Sequence, residues 1–235
     1  MGKSAWAALL VAAVGLAGCG QNLEPRPDYD PGLTADDFVA GIDNPWLPLR
    51  PGAYWIYENG DERVEVRVTG QTRTVMGVQA TVVRDTVTVD GALEEDTDDW
   101  FAQDLDGNVW YLGESTCEYE EGECVDRHGE WEWGTDGALP GVVMWGEPVA
   151  NNTPYYQEFY WGEAIDKAAV IDTGRTVTVP AGTFTDTVTS HEWNPLEGGG
   201  KELVHHARGV GVIQKTDSDD PEGGERLVEY FVPGT

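Results

Sequence analysis

Cys117 and Cys124 enclose six residues, Glu118-Tyr119-Glu120-Glu121-Gly122-Glu123. In an oxidising compartment, two thiols flanking a turn form a disulfide that clips a hairpin. The competing chemistry is a metal centre completed by His128. That Cys-x6-Cys-x3-His spacing lacks the close cysteine pair of a zinc site and an evident fourth ligand. Asp104-Leu105-Asp106-Gly107-Asn108 begins like a calcium loop, which makes Asp104, Asp106 and Asn108 the candidate oxygen ligands for Ca²⁺. The loop departs from an EF-hand at the sixth and twelfth positions, here Val109 and Ser115, and Asp106-Gly107 already has a sufficient job as a hairpin turn. His205 and His206 are adjacent and so face opposite sides of any strand. His191 with one of them is the remaining transition-metal candidate. The chain has four serines, none in Gly-x-Ser-x-Gly, and no His-Glu-x-x-His, so hydrolase chemistry has no recognisable nucleophile or zinc motif. Carboxylate pairs for glycoside cleavage arise by chance among so many acids, which leaves a carbohydrate-active enzyme or lectin-like binder as a third-ranked reading.

Aromatic residues make a second set of candidates. Trp100, Trp110, Trp131, Trp133, Tyr155, Phe159 and Trp161 fall in strand-like runs, and same-parity pairs such as Trp131 and Trp133 share a face. They form either a heavy aromatic core or a sheet face holding a small apolar or sugar ligand.

The N-terminus assigns an address. Lys3 precedes an apolar run from Ala5 to Gly15, the layout of a secretory signal and too short for a spanning helix. Leu16-Ala17-Gly18-Cys19, which closes it, resembles the lipobox of bacterial lipoproteins. That resemblance implies a lipidated Cys19 as the first mature residue, carrying a diacylglyceryl group and an amide-linked chain such as palmitate. Gly20, in place of the Asp that retains such proteins at the inner membrane, implies the outer membrane where the cell has one. Two or more acyl chains anchor firmly. With Cys19 so used, Cys117 and Cys124 leave no unmatched thiol. The expected organisation is a signal peptide over 1–18, the lipidated cysteine and a Pro-rich tether over 19–33, and a single β-domain over 34–235.

Composition narrows the partners. Acidic residues number 43 against 14 Lys and Arg, for a formal charge of −29, and the leader contributes only Lys3. Such a charge repels nucleic acid and anionic headgroups, so the lipid on Cys19 is the expected membrane contact. The acids are expected to solvate the surface of a monomer or, alternatively, to bind divalent cations or a basic partner.

From Tyr54 onward the chain reads as strands and turns. Val64, Val66 and Val68 alternate with Glu65 and Arg67, Val78 to Val89 ends at Asp90-Gly91, and hairpin signals recur at Asn59-Gly60, Asp106-Gly107 and Glu121-Gly122. A short helix is expected after Thr34 as N-cap. The fold class is therefore all-β, an antiparallel meander forming a curved sheet or half-barrel with at most one or two short helices. Three motifs carry a further resemblance: Asn44-Pro45-Trp46-Leu47-Pro48-Leu49-Arg50-Pro51-Gly52, Val179-Pro180-Ala181-Gly182-Thr183-Phe184 and Ala207-Arg208-Gly209-Val210-Gly211. They resemble an uncharacterised group of exported bacterial β-proteins similar to TapB-type proteins, and more distantly the half-barrels of LolA and LolB type. The resemblance brings no catalytic residues. The expected role is a non-catalytic binding or envelope-accessory lipoprotein. The alternative is an acidic structural or interaction protein.

Overall fold

The computed structural model describes residues 25–196 and 201–234. Fifteen strands occupy most of that length: β1 (Phe38–Val39), β2 (Tyr54–Asn59), β3 (Glu62–Val75), β4 (Val78–Val89), β5 (Ala92–Asp104), β6 (Val109–Glu120), β7 (Glu123–Asp126), β8 (Trp131–Glu132), β9 (Leu139–Met144), β10 (Tyr155–Tyr160), β11 (Ala164–Val179), β12 (Gly182–Trp193), β13 (Glu202–Ala207), β14 (Gly211–Asp217) and β15 (Asp220–Phe231). The expected antiparallel curved sheet forms, and it goes on to close. Neighbours run β5-β4-β3-β2-β15-β14-β13-β12-β11-β10-β9-β6, and β6 pairs with β5 to complete a twelve-stranded barrel. Closure removes the unpaired edges that a half-barrel would present. β1 adds to β5, and β7 and β8 add to β6.

Alternation along the strands sorts the walls. Tyr57 pairs with Val64, Val64 with Val87 and Val66 with Asp85, so these residues face inward. Outward positions carry Glu58, Arg63, Glu65, Arg67, Arg84 and Asp96, joined as the ion pairs Arg63–Glu58, Arg67–Glu65 and Arg84–Asp96. These outer positions on β2–β5 are charged.

One mouth is capped by the segment 42–53. Asn44 donates from Nδ2 to the carbonyls of Gly107 and Trp145, while its Oδ1 accepts from the Trp46 and Leu47 amides. On the opposite rim, the Gly209 amide reaches the Pro45 carbonyl, and Arg208 lies over the Trp46 ring. The segment thus bridges the mouth and lowers Leu47 and Leu49 onto Trp55 and Tyr57. Trp55 Nε1 donates to the Val210 carbonyl and Tyr57 Oη to that of Val212, which satisfies two buried donors.

The short helix expected after Thr34 is a single 3₁₀ turn, Ala35–Asp37. Thr34 donates from its amide and its hydroxyl to the Asp37 carboxylate, and Phe38 and Val39 then pair with Asp104 and Gln103 as β1, which ends the turn. Residues 25–33, assigned to the tether, run along the barrel wall instead. Tyr29 donates to the Pro140 carbonyl and packs its ring 4.7 Å from Tyr156 and 4.9 Å from Phe159, while Arg26 bonds the Gly137 carbonyl. The aromatic contact area holds the segment down despite its proline content.

Candidate functional site

Cys19 lies outside the described residues. Cys117 and Cys124 form the disulfide, with Cα atoms 5.8 Å apart, and clip β7 to β6. Because β7 is exposed and at the sheet margin, replacing both cysteines with serine should cost about 2–3 kcal/mol. Urea titration checks the cost. Hydrogen exchange should show the lost protection concentrated in Glu123–Asp126.

Asp104 spends its carboxylate on the turn that follows it. Its Oδ1 accepts from the amides of Asp106 and Asn108, and its Oδ2 from Asn108 Nδ2 and Trp110 Nε1. Four donors on one carboxylate build the hairpin corner and compete with cation binding. Among the described residues, no group of three or more His, Cys, Asp or Glu side chains is arranged to hold a metal ion. His205 and His206 take opposite faces as expected, His205 opposite Thr189 and His206 opposite Val188.

The seven aromatic candidates do not share one face. Trp100, Trp110 and Trp133 are buried in an outer cluster with Leu112 and Val142, beneath Leu33 and Phe38. Trp131 is inward, donating to Glu158 at 2.8 Å and meeting Tyr111 edge-on. Phe159 is fully buried, Trp161 stacks against it, and Tyr155 packs on Trp145. These rings act as core. Gly113, at φ 137°, permits the arrangement, because a Cβ there would overlap the Trp131 carbonyl.

The inward face reveals what the sequence did not: among the described residues, nine carboxylates point into the barrel and are buried. They are Glu62, Asp85, Glu95, Asp99, Glu114, Glu158, Asp166, Glu192 and Glu225. The expectation that acids serve the surface is corrected to this extent. Away from the cap the interior becomes steadily more polar, reaching half-buried Glu118, Glu202 and Asp217 at the far rim. Hydrogen bonds stitch the set together: Tyr111 Oη donates to Asp99 at 2.7 Å, Ser190 to Glu192 at 2.7 Å, and Thr97 to Glu95 at 3.0 Å.

Burial dominates the protonation of these acids. Desolvation, then the nearby Asp85 charge, push Glu95 up to about 8. Desolvation pushes Glu225 up to about 8 against the pull of Lys215, and Glu62 up to about 7 with help from Asp61. Asp99 and Glu114 are held well above the carboxylate range by the same desolvation and by their acidic neighbours. Lys215 is the one buried Lys or Arg among the described residues. Desolvation pulls its pKa down, but Glu225, Glu202, Glu192 and Asp85 together outweigh this and keep the ammonium charged. The interior is a proton-holding network built around one cation.

A separate feature lies on the outer wall. β11 and β12 run on past their neighbours as a long two-stranded arm whose tip is the Val179–Phe184 motif. Three register shifts, between Val170 and Val177, bend the arm. The arm folds back to β15, where the Ala181 amide reaches the Leu227 carbonyl and Phe184 meets Tyr230. Leu227 is free to accept because β15 shifts register between Leu227 and Glu229. Between arm and wall lies an open groove of about 580 Å³, lined by Arg175, Thr176, Val177 and Thr178 on one side and by His205, Gln214 and Arg226 on the other.

His205 and Gln214 are buried at its floor. His205 Nδ1 sits 2.9 Å from Thr189 Oγ1, leaving Nε2 for a ligand. Burial, then the Arg175 charge, lower its pKa to about 4, so the ring is neutral at physiological pH. Arg175 is held by Asp172 at 2.8 Å.

Sequence reasoning missed the groove residues because they are scattered over four strands with no common spacing. The signal was faint: arginines are scarce in this chain, and two of them converge here. No family model, curated protein or solved structure matches the chain.

Proposed function

We propose that this protein is a lipid-anchored, extracytoplasmic binding protein without catalytic activity, in which the closed barrel is the scaffold and the groove beneath the β11–β12 arm takes a small polar ligand. The groove itself carries the reading. Its volume is within the 300–1,000 Å³ usual for small-molecule sites, and it is polar where the rest of the aromatic surface is packed away. A neutral histidine, an amide and a threonine hydroxyl around it offer directional hydrogen bonds. Further support comes from the leader and Cys19, and from the resemblance of the cap and arm-tip motifs to exported β-proteins.

The two halves of the proposal separate experimentally. Cys19→Ser should move the protein from the membrane fraction to the soluble fraction of expressing cells, and persistence in the membrane would overturn the anchor. Native mass spectrometry of the full chain should detect a co-purifying small molecule that is lost from Thr176→Trp, where an indole fills the groove. A ligand-free wild type, or a ligand retained equally by Thr176→Trp, would overturn the groove as the binding site.

A further inference from the structure

We propose that the groove is an oxyanion site, in which Arg226 and Arg175 together receive the carboxylate or phosphate group of a small molecule. This rests on the groove being the ligand site and names the ligand class. Charge placement points to this first. Acids outnumber basic residues by 43 to 14, yet the seven residues lining the groove include two arginines and no carboxylate. A groove on this surface without an acid is a departure from the composition around it.

Arg226 itself points the same way. The other described arginines are engaged: six in ion pairs, Arg26 and Arg50 on backbone carbonyls, and Arg208 over an aromatic ring. Arg226 alone among them has no carboxylate, carbonyl or ring partner among the described residues. Its cross-strand neighbour is Glu58, but Glu58 is paired with Arg63 at 3.2 Å. A guanidinium has five donors in a planar fork suited to bidentate contact with carboxylate or phosphate, and here that fork is unspent.

Third, the groove supplies the rest of an oxyanion shell. Gln214 brings amide donors and Thr176 brings a hydroxyl, while neutral His205 can donate from Nε2 without adding charge. The Asp172 contact orients Arg175 without consuming it. Both partners are substantially exposed, at 46% and 37% of the side chain, and such surface pairs are weak enough to yield to a bound anion. The acidic surface repels anions at long range, but physiological salt screens charges beyond about 8 Å, so local recognition decides.

The test is calorimetric titration of the full chain with citrate, pyrophosphate and trehalose, for carboxylate, phosphate and neutral polar chemistry respectively. Citrate or pyrophosphate should bind, and whichever does so tells the carboxylate from the phosphate ligand. Arg226→Gln and Arg175→Gln should each weaken it about tenfold to a hundredfold, the scale of a charge-assisted hydrogen bond. Arg127→Gln, in an exposed ion pair away from the groove, should bind like wild type. Unchanged melting temperatures would show that the arginine variants fold. If trehalose binds and is lost from Thr176→Trp while neither anion binds, the oxyanion assignment is overturned and the groove reading stands. If an anion binds but Arg226→Gln and Arg175→Gln match wild type, the oxyanion site is elsewhere and the assignment is overturned. If no probe binds and native mass spectrometry finds no ligand, both readings fall.

Discussion

Raising the pH from 5 to 9 should lower the melting temperature of this protein, the reverse of the trend set by ordinary ion-paired carboxylates. In the folded barrel, desolvation raises Glu95 and Glu225 to about 8 and Glu62 to about 7, from 4.5 in the unfolded chain. Between 4.5 and 8 the folded state therefore holds protons that the unfolded state has released. Stability then falls as pH rises, being fully present below the unfolded value and lost through the folded ones. Each group held protonated contributes up to about 1.4 kcal/mol per pH unit across that window. For a chain of this size, each kcal/mol lost lowers the melting temperature by about 2–4 °C. A scan from pH 5 to pH 9 at constant ionic strength measures the slope. Glu95→Gln and Glu225→Gln should flatten it, because an amide mimics the protonated acid and does not titrate. A melting temperature that is level or rising over this range would refute the proton-holding interior.

Lys215→Met should be the most damaging single substitution in the interior. The side chain is buried and pairs across strands with Glu225, and Glu202, Glu192 and Asp85 also act on its charge. Removing one partner of a buried charge set costs about 3–5 kcal/mol, because the remaining carboxylates are stranded in a medium that solvates them poorly. The cost should be largest at pH 8 and smaller at pH 5, where Glu225 takes a proton and no longer needs the ammonium. Combining Lys215→Met with Glu225→Gln should recover much of the loss, and a double-mutant cycle by urea denaturation isolates the coupling. A Lys215→Met protein within about 1 kcal/mol of wild type at pH 8, measured against the scale for buried pairs, would show that the ammonium does not organise the interior.

These two experiments probe the same division of the molecule. The cap half of the barrel is filled by Trp55, Tyr57, Leu47 and Leu49 and is held by hydrophobic burial. The far half is held by protons, hydroxyls and one ammonium. The groove is on the outer wall of β13–β15, where His205, Gln214 and Arg226 alternate along their strands with the inward His206, Lys215 and Glu225. A ligand there would be separated from the acid network by one sheet.

The sequence by itself determined local structure. Period-two alternation marked strands such as β3, glycine-containing pairs placed the turns, and the spacing of Cys117 and Cys124 was enough for a hairpin clip. Those signals are legible because they depend on residues a few positions apart. Closure was decided only in three dimensions, by β6 pairing with both β5 and β9, since nothing within a strand says how many neighbours it will have. The same closure decided the chemistry. Glu95, Asp99 and Glu114 read as solvated acids until the barrel turned their faces inward, where loss of water makes them hold protons. Arg175 and Arg226 are 51 positions apart in the sequence and share a groove only because register shifts fold the β11–β12 arm back onto β15. Desolvation and long-range juxtaposition belong to the closed barrel, and no window along the chain contains them.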